Sequence, residues 1–517
     1  MTKYNLLEEN LIRVSVFDGQ SVERSLPEIL AALASGEALE FSALQPYQSH
    51  AWHAFLVQLA ALALFRTGRN DLREMRAPPG WTNALRELTS GRDEPWCLVV
   101  EDLSQPAFLQ PPVPEGKLDK WKNETAAPDE IDILQTAKNH DVKRKRILSP
   151  RPEHWIFALV ALQTMQGYSG SGNYGIARMN GGYGNRPAFS ASRDLDWSTR
   201  FARDTHLLLQ SRGDIARRYD FDPETGKALL WLEPWDGKQQ LPLDRLDPFF
   251  IEVCRRIRLV EENGKILARW TTTKCSRIHA KELKGNLGDP WVPVNTEDGA
   301  ALTATNLHYD LLQEVLFGGD YEPSRASIVL PEDGDHPILL CRVLVRGEGK
   351  TEGYHERLIP VPHRARLLLN TPEGFRRLGE LSKQRVREVK KVSNVLRQAL
   401  AALIQGGPEK PELPEPLAEP FIDAFDREID RIFFTRLFQD ATLDPNEARR
   451  KWLKEIFELA RVTLERAKQS APVPSERVFR ARAKADQIFF GARHRMLEAA
   501  GEFLEANGGQ DDFSNTT

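Results

Sequence analysis

The chain has 517 residues, of which 41% are apolar and 28% charged, and its formal net charge is -4. This length exceeds what one hydrophobic core usually serves, so we expect at least two domains of ordinary globular composition. The acidic net charge excludes a chain that binds nucleic acid through an overall positive field, but it does not exclude a local basic surface.

Two further patterns concern location and redox state. No stretch of about 18 apolar residues is present, and residues 1–10 lack the apolar core of a signal peptide. These absences predict a cytoplasmic protein without membrane contact. The cysteines stand far apart without a C-x-x-C pair, which predicts reduced thiols and neither a disulfide framework nor a metal site. They are Cys97, Cys254, Cys275 and Cys341.

Residues 1–370 mix helix-type and strand-type patterns. Ser25 and Glu28 form a capping box that predicts a helix over residues 26–35. Residues 51–65 are apolar on most faces, which predicts a buried helix. The predicted strands are residues 11–16, 226–235, 266–273 and 338–345. Together these patterns predict a large mixed α/β domain.

The character of the chain changes after residue 370. Apolar positions recur every three or four residues in four segments that Gly- or Pro-marked loops separate. The predicted helices are residues 371–405, 418–440, 445–470 and 475–507. Consecutive helices with short loops predict an antiparallel four-helix bundle over residues 371–507, followed by a disordered tail over residues 508–517. The predicted fold class is therefore α+β.

A glycine-rich run, residues 167–184, follows an apolar helical segment at residues 154–166 and contains seven glycines. So many glycines predict a loop that brings main chain close to a ligand, with tyrosines and Arg178 as contact groups. The spacing Gly170-x-Gly172-x-x-Gly175 matches a dinucleotide-binding fingerprint. That site needs a strand before it and a helix after it. Here a helix precedes, and Asn180-Gly181-Gly182 disfavours a following helix. A nucleotide-dependent enzyme using this run is therefore the weaker alternative.

Residues 347–351 (GEGKT) end like a phosphate-binding P-loop but lack its first glycine, because position 344 is leucine. The following segment also does not begin a helix. The pattern favours the tip of a β-hairpin that carries Lys350. A sharper alternative is a tip that touches a nucleic-acid backbone or groove.

Two segments are conspicuously basic. The first, residues 143–146, consists of Lys143, Arg144, Lys145 and Arg146. The second is the predicted helix 371–405, which has eight lysines and arginines against three glutamates. Both are compatible with a solvated protein face, and both are candidates for contacts with a DNA backbone. The candidate residues on the helix are Lys383, Arg387, Lys390 and Lys391.

Catalytic patterns are weak. His50 and His53 share a helical face without the H-E-x-x-H pattern of a zinc site, so we expect structural histidines. The chain has no G-x-S-x-G motif, and nothing marks a cysteine as a nucleophile. These patterns give no positive indication of a catalytic site.

The order of several short motifs resembles the CasA family. Residues 5–14 (NLLEENLIRV) are similar to its N-terminal strand motif, and residues 136–141 (TAKNHD) occupy the place of its long mobile loop. Residues 167–170 (GYSG), at the end of a helix, are similar to its glycine loop. Residues 288–293 (GDPWVP) are similar to its aromatic-proline turn. The resemblance spans most of the chain and agrees with the predicted architecture.

CasA is the large subunit of the type I-E CRISPR surveillance complex Cascade. The resemblance implies a non-catalytic subunit that reads the protospacer-adjacent motif (PAM) of double-stranded DNA, largely from the minor groove. It also implies promotion of unwinding and R-loop formation, and a bundle that helps to hold DNA. The implied partners are the other Cascade subunits, crRNA, double-stranded target DNA and a helicase-nuclease. No cofactor and no metal are implied.

The resemblance also implies positions for the recognition residues. Those facing the minor groove of the motif would be Gly167, Tyr168, Ser169 and Gly170. The groove-reading lysine would be Lys281 or Lys284. Asn139 and His140 would lie in the loop that reaches the motif or the crRNA end. We further expect bulky side chains at positions 167–170 to weaken motif recognition while leaving the fold intact.

One departure from the family concerns its wedge, which carries a glutamine at a hairpin tip. The corresponding residues 349–354 read GKTEGY, without glutamine. The candidate wedge residues here are Lys350, Thr351, Glu352 and Tyr354. Of these, Lys350 and Tyr354 are the ones that could push between base pairs.

Overall fold

The structure is a computed structural model that describes residues 2–16, 19–133, 147–182, 184–347, 350–473 and 475–500. For residues 346, 347 and 350–352 it describes the backbone. Contacts between Cα atoms divide the chain into two compact units. The first unit comprises Met1–Leu307 and Asp320–Ile359, and the second comprises His308–Gly319 and Pro360–Thr517. The chain thus enters the second unit twice.

The strands among the described residues all belong to the first unit. They are β1 (Thr2–Asn5), β2 (Ile12–Val16), β3 (Ser21–Arg24), β4 (Leu39–Phe41), β5 (Cys97–Val100), β6 (Asn123–Thr125), β7 (Ala188–Ser192), β8 (Lys227–Leu229), β9 (Leu246–Ile251), β10 (Arg256–Glu262), β11 (Lys265–Thr271), β12 (Val294–Asn295), β13 (Tyr321–Glu322), β14 (Ile338–Gly347) and β15 (Lys350–Pro360). They form small separate sheets. The three-stranded sheets have the orders β3-β2-β4, β10-β11-β6 and β15-β14-β7.

Helices occur in both units. They are α1 (Leu26–Ala34), α2 (Ser49–Arg66), α3 (Pro78–Leu88), α4 (Pro152–Met165), α5 (Trp197–Tyr219), α6 (Tyr309–Gln313), α7 (His363–Leu369), α8 (Pro372–Ile404), α9 (Glu419–Asp440), α10 (Pro445–Ser470) and α11 (Val478–Glu498). The predicted α+β class is confirmed. No helix in the described part of the chain is both long and apolar enough to cross a membrane.

Helix α2 lies at the centre of the first unit. Its side chains are buried from His50 to Leu64, and it contacts α3, α4, α5 and β9. Burial on every face explains why the sequence is apolar all round, as predicted. The predicted capping box of α1 is also present, because Glu28 accepts a 2.8 Å hydrogen bond from the Ser25 amide and the Ser25 hydroxyl accepts one from the Glu28 amide.

The strand predicted over residues 226–235 is wrong beyond its start. Strand β8 ends at Leu229, and residues 230–232 form a 3-10 turn. This turn buries Trp231, whose indole nitrogen donates to the Pro95 carbonyl at 3.1 Å. The apolar run reflects a buried turn as well as a strand.

Helices α8 to α11 form the predicted four-helix bundle. Arg385 pairs with Asp440 at the end of α9 (2.6 Å), whereas Arg397, farther along α8, pairs with Glu419 at the start of α9. These pairs show that α8 and α9 run in opposite directions. Lys451 of α10 pairs with Asp440 at 2.8 Å.

The other consecutive pairs of bundle helices, α9 with α10 and α10 with α11, are antiparallel as well. Arg436 of α9 pairs with Glu455 of α10 at 2.8 Å, farther from the connecting loop than the Lys451–Asp440 pair. Between α10 and α11, Lys468 pairs with Asp486 at 2.5 Å, and the rings of Phe457 and Phe489 lie 5.8 Å apart. Interlocked aromatic and aliphatic side chains fill the interior.

The segment His308–Gly319 packs onto the bundle. A Cβ on Gly379 of α8 would overlap the Phe317 carbonyl oxygen, so the two backbones meet closely. The Ser382 hydroxyl donates to Gln313 Oε1 at 3.1 Å. Backbone contact and a buried hydrogen bond therefore fix this segment to α8.

A histidine anchors the start of the same segment. The two ring nitrogens of His308 lie 3.0 Å from carboxylate oxygens of Asp310 and Asp426, and Asp430 is 3.8 Å away. These carboxylates raise the pKa of His308 to about 10 against the opposing effect of burial. His308 is therefore a cation at neutral pH.

Candidate nucleic-acid interface

The glycine-rich run forms a closed loop at the end of α4. Gln166 and Asn185 make an antiparallel bridge, so the two ends of the loop lie side by side. Inside it, the Tyr168 amide donates to the Gly182 carbonyl at 3.0 Å and the Ile176 amide to the Gln166 carbonyl at 2.9 Å. The order helix, loop, strand β7 differs from the strand–loop–helix order of a dinucleotide site. The structure agrees with the sequence argument against that alternative.

Two glycines of the loop are required by its own packing. A Cβ on Gly167 would overlap the Gly184 carbonyl oxygen, and a Cβ on Gly175 would lie 2.7 Å from the Gly167 carbonyl carbon. Such overlaps force the backbone to shift. The expectation that a bulky residue at position 167 leaves the fold intact is therefore wrong.

Gly170 differs from Gly167. Its φ is +105°, and no heavy atom of the described residues lies within 4 Å of where its Cβ would be. Its carbonyl accepts a 2.9 Å hydrogen bond from the Asn173 amide, which closes a tight turn. Gly170 is thus a position in the run where the backbone faces open space.

Arg255 holds the inner side of the loop. Its guanidinium donates to the Gly167 carbonyl at 3.3 Å, to the Ser169 hydroxyl oxygen at 3.2 Å and to the Tyr174 carbonyl. Its side chain is buried. Because the Ser169 oxygen accepts from Arg255, its hydroxyl hydrogen points away from the guanidinium. One arginine therefore sets both the loop shape and the orientation of Ser169.

A second anchor lies farther along the loop. Glu252 accepts from the Ala177 amide at 2.8 Å and 3.0 Å, and burial raises the pKa of its carboxyl to about 7. Arg178 donates to the Phe250 carbonyl at 3.0 Å and stacks 3.7 Å from the Phe250 ring centre. Arg178 is buried, so the expectation that it contacts a ligand is wrong.

The lysine-bearing segment lies against the glycine-rich run. Residues 281–283 form a 3-10 turn, and Lys284 and Gly285 follow with φ of +48° and +81°. A Cβ on Gly285 would lie 2.6 Å from the Asn180 nitrogen and 2.7 Å from the Met179 carbonyl carbon. Two segments about 100 residues apart in sequence are therefore in direct contact.

The two candidate lysines have different surroundings. Lys284 pairs with Asp298 at 3.3 Å. Lys281 is exposed and makes no ion pair among the described residues. The ammonium group of Lys281 is thus the more available of the two.

The aromatic-proline turn fixes this region to the core. The Trp291 indole nitrogen donates to Asp204 Oδ2 at 2.8 Å, and Asp204 also pairs with His53 at 2.9 Å. Asp289 pairs with buried Arg186 at 2.6 Å. His53 has a structural role, as predicted. The turn positions the neighbouring lysines by anchoring their downstream backbone.

The candidate wedge lies on the hairpin of β14 and β15. Residues 348 and 349 connect the two strands and lie outside the described residues, as do the side chains of Lys350, Thr351 and Glu352. The sequence analysis placed Tyr354 at the tip, but it lies inside β15. It packs against the core of the first unit, and its hydroxyl donates to Glu356 at 2.9 Å. Burial raises the pKa of Tyr354 to about 12.

Six candidate residues lie outside the described part of the chain. They belong to the predicted mobile loop and the first basic segment. They are Asn139, His140, Lys143, Arg144, Lys145 and Arg146.

The basic helix α8 separates into an inner and an outer side. Arg387, Lys390 and Lys391 are exposed, and Lys383 is half-buried. Arg385, counted among the eight bases, is buried, pairs with Asp440 and stacks 4.7 Å from the Trp452 ring centre. The outer side is the candidate nucleic-acid surface, whereas Arg385 belongs to the bundle interior.

Helix α11 was predicted as a bundle helix but not as a candidate nucleic-acid surface. This helix carries Arg480, Arg482 and Arg495 on its exposed side, and Phe479 near its start is 87% exposed. Exposed arginines beside an aromatic ring are typical of surfaces that bind single-stranded nucleic acid. The high density of Lys and Arg in residues 477–495 is the sequence feature that could have indicated this surface.

Comparisons with known proteins bear on the fold. Neither a family model nor a curated protein sequence matches this chain. Solved structures do match, and they are CRISPR-associated proteins named Cse1 or CasA. Cse1 from Acidimicrobium ferrooxidans has a TM-score of 0.66 at 14% identity, over 96% of this chain and 99% of that chain.

Two further structures agree. Cse1 of Thermobifida fusca has a TM-score of 0.63 at 14% identity, over 96% of this chain and 98% of that one. CasA (Cse1) of Thermus thermophilus has a TM-score of 0.60 at 17% identity, over 96% and 100%. The chain therefore has the fold of Cse1/CasA proteins. The resemblance found in the sequence is confirmed at the level of fold.

Proposed function

We propose that this chain is the non-catalytic large subunit of a type I-E CRISPR Cascade surveillance complex and that it recognises the PAM in double-stranded DNA. The observation that carries the proposal is the packing of Gly285 against Met179 and Asn180. It joins the glycine-rich run and the lysine-bearing turn in one surface, within a Cse1/CasA fold.

The chemistry of this surface suits a minor groove. The groove presents mainly hydrogen-bond acceptors, the adenine N3 and thymine O2 atoms, in a pattern that discriminates weakly between sequences. Lys281 supplies an exposed ammonium donor. Ser169 supplies a hydroxyl whose oxygen already accepts from Arg255. Gly170 admits close backbone approach. Guide RNA pairing supplies the remaining specificity.

The proposal extends to unwinding and strand capture. The β14–β15 hairpin is the candidate wedge, and Lys350 beside its tip is the residue that we assign to it. Asn139 and His140 contact the motif or the crRNA end, and Lys143, Arg144, Lys145 and Arg146 contact the DNA backbone. The outer side of α8 holds DNA through its exposed lysine and arginine side chains. After R-loop formation, the subunit helps to recruit the helicase-nuclease.

The first experiment measures binding of a target duplex to the purified complex with and without this subunit. We expect the complex without it to bind at least tenfold more weakly, because motif recognition starts the strand exchange. Equal affinity of the two complexes would contradict the whole proposal.

The second experiment separates the two lysines. We expect Lys281→Ala to weaken binding of a motif-bearing duplex about tenfold, since one groove contact is worth about 1–3 kcal/mol. Lys284→Ala is the matched control, because Lys284 already pairs with Asp298. A larger loss in the Lys284 variant would assign groove reading to that residue instead.

A further inference from the structure

A cleft beside the glycine-rich run is lined by five cationic side chains and one tryptophan. We call it the lysine cleft. Its cationic side chains and aromatic ring are Lys117, Lys120, Lys238, Lys274, Arg256 and Trp121. It lies where the loops after residues 114 and 235 meet the end of β11. Its volume of ≈ 400 Å³ falls within the usual range of ligand sites, about 300–1,000 Å³.

The positive charge of the lysine cleft is only partly neutralised. Glu115 and Asp236 also line it. Glu115 pairs at 2.7 Å with Arg256, whose side chain is buried and whose guanidinium lies 5.1 Å from the Trp121 ring centre. This pair builds the floor of the cleft and contributes little net charge.

The lysines of the cleft remain accessible. Lys238 and Lys117 approach carboxylates only at 3.8 Å and 3.9 Å in exposed positions, and such pairs are weak. Lys120 and Lys274 are exposed and make no ion pair among the described residues. The Lys274 backbone is held by a 2.7 Å hydrogen bond from its amide to the Gly237 carbonyl. Available positive charge is thus concentrated in one cleft of a protein whose net charge is -4.

The lysine cleft and the glycine-rich run share a wall. The Thr273 amide donates to the Gly172 carbonyl at 2.9 Å. A Cβ on Gly172 would lie 2.6 Å from the Thr272 Cβ. Both threonines also line the cleft. A ligand that contacts the run can therefore continue into the cleft without leaving the surface.

We propose that the lysine cleft binds the phosphodiester backbone of the duplex whose groove the glycine-rich run reads. Lysine ammonium groups and threonine hydroxyls are the side chains that contact phosphate oxygens, and such contacts fix position without reading sequence. This inference rests on the proposed function. The cleft sets how the duplex lies on the protein, and the glycine-rich run with Lys281 reads the motif.

The test is a salt series with the assembled complex. Each phosphate contact contributes about 0.9 to the slope of log affinity against log salt concentration. We expect Lys274→Ala to reduce the magnitude of this negative slope by about 0.9 and the Lys120→Ala/Lys274→Ala double variant to reduce it by about 1.8. Discrimination between duplexes with and without the motif should stay unchanged.

Lys265→Ala is the matched control. Lys265 opens β11, whose other end adjoins Lys274, and seven strand residues span about 23 Å. It removes the same charge from the opposite end of the same strand, so its slope should equal that of the wild type. An unfolding midpoint equal to that of the wild type checks that the double variant is folded.

Several outcomes would overturn the inference. An unchanged slope in the folded double variant, with motif discrimination still lost in Lys281→Ala, would reject the cleft while leaving the proposed function in place. Loss of complex assembly in the double variant would show that the cleft binds a partner protein instead. Duplex binding that does not depend on the subunit at all would reject both proposals.

Discussion

The glycine-rich run of the first unit and helix α8 of the second each turn one side inward and leave another side accessible, but different forces hold the inner sides. The run is held by backbone packing at Gly167 and Gly175 and by the buried side chain of Arg255. The inner side of α8 is held by buried apolar side chains, such as Val389 and Leu396, and by an ion pair between Arg385 and Asp440. On its outer side, Arg387, Lys390 and Lys391 are exposed.

This difference decides which substitutions report on function. In the run, a side chain added at an inner glycine disturbs the backbone by steric overlap, whether or not that side chain is charged. In α8, the inner side carries apolar side chains as well as Arg385, so an inner substitution changes packing or charge, whereas an outer one should leave the fold unaffected. A functional test therefore needs residues on the accessible side, whereas substitutions on the inner side report on stability.

The largest effect is expected from Arg385→Met. This change leaves Asp440 buried with Lys451 as its remaining cation, and removing one partner of a buried pair costs about 3–5 kcal/mol. Arg387→Met, two residues away on the exposed side, should change stability by less than about 0.5 kcal/mol. Chemical unfolding of both variants measures the contrast. Equal stabilities of the two variants would contradict the assignment of Arg385 to the structural inner side of α8 and of Arg387 to its accessible outer side.

A somewhat smaller effect is expected from Gly167→Ala. The new Cβ would overlap the Gly184 carbonyl oxygen, and overpacking of this kind costs about 3 kcal/mol at the upper end of the usual range. Gly170→Ala meets open space but has φ of +105°, so strain alone should cost about 1–2 kcal/mol. Thermal unfolding orders the two variants. A less stable Gly170 variant would show that strain outweighs packing in this loop.

His308 provides a pH-dependent contrast within the second unit. Its pKa is about 10 in the folded protein, because Asp310 and Asp426 are hydrogen-bonded to it, and about 6.5 when unfolded. A raised pKa stabilises the fold fully below pH 6.5, and the contribution is lost as the pH rises to about 10.

Comparison of His308→Gln with the wild type tests this contribution. The variant should be about 2 kcal/mol less stable at pH 6, as expected for charge-assisted hydrogen bonds. The difference should shrink toward zero at pH 10, where His308 loses its proton in the folded state as well. Unfolding curves at pH 6, 8 and 10 measure it. A difference that does not change with pH would show that His308 acts by packing alone.

The smallest effect per residue is expected on the outer side of α8. Charge reversal at Lys383, Arg387 and Lys391 should weaken target-DNA binding by the complex. It should also reduce the magnitude of the negative salt slope by about 0.7 for each single-strand phosphate that the protein no longer neutralises. Unfolding of the variant should match the wild type. Unchanged DNA binding would favour an adaptor role for the bundle over a nucleic-acid role.

Much of the fold was predictable because local patterns agreed with tertiary packing. The third bundle helix was predicted over residues 445–470, and α10 is Pro445–Ser470. The proline at its start and the apolar repeat both act within the helix. Helix α5, by contrast, was not predicted. Its buried side includes Arg200, Arg203 and Arg212, which interrupt the apolar repeat.

The missing signal in α5 has a physical cause. Arg203 pairs with Asp333 at 2.5 Å and Arg212 with Asp247 at 2.5 Å. These partners are distant in sequence, so nothing local indicates that the arginines are buried. A buried charged side of a helix has the same sequence appearance as a solvated one.

The candidate site was predictable as a region but not residue by residue. Motif order indicated the glycine-rich run and the lysine-bearing turn. Sequence did not indicate that Arg255 and Glu252 hold the run, because both lie about 80 residues away from it. It also did not show that Gly167 is needed for close backbone packing within the loop. Nor did it show that the Tyr354 hydroxyl is hydrogen-bonded to Glu356.

The segment His308–Gly319 has a consequence for modularity. It is encoded within the stretch that builds the first unit, yet its Phe317 ring lies 6.0 Å from Phe438 and 6.3 Å from Phe434 of the bundle. A bundle cut out at Pro360 would lack this piece and leave those rings uncovered. Exchange of the C-terminal helices between related genes by a single crossover would then join a bundle to a foreign inner segment. The two units are therefore expected to be inherited and to diversify together.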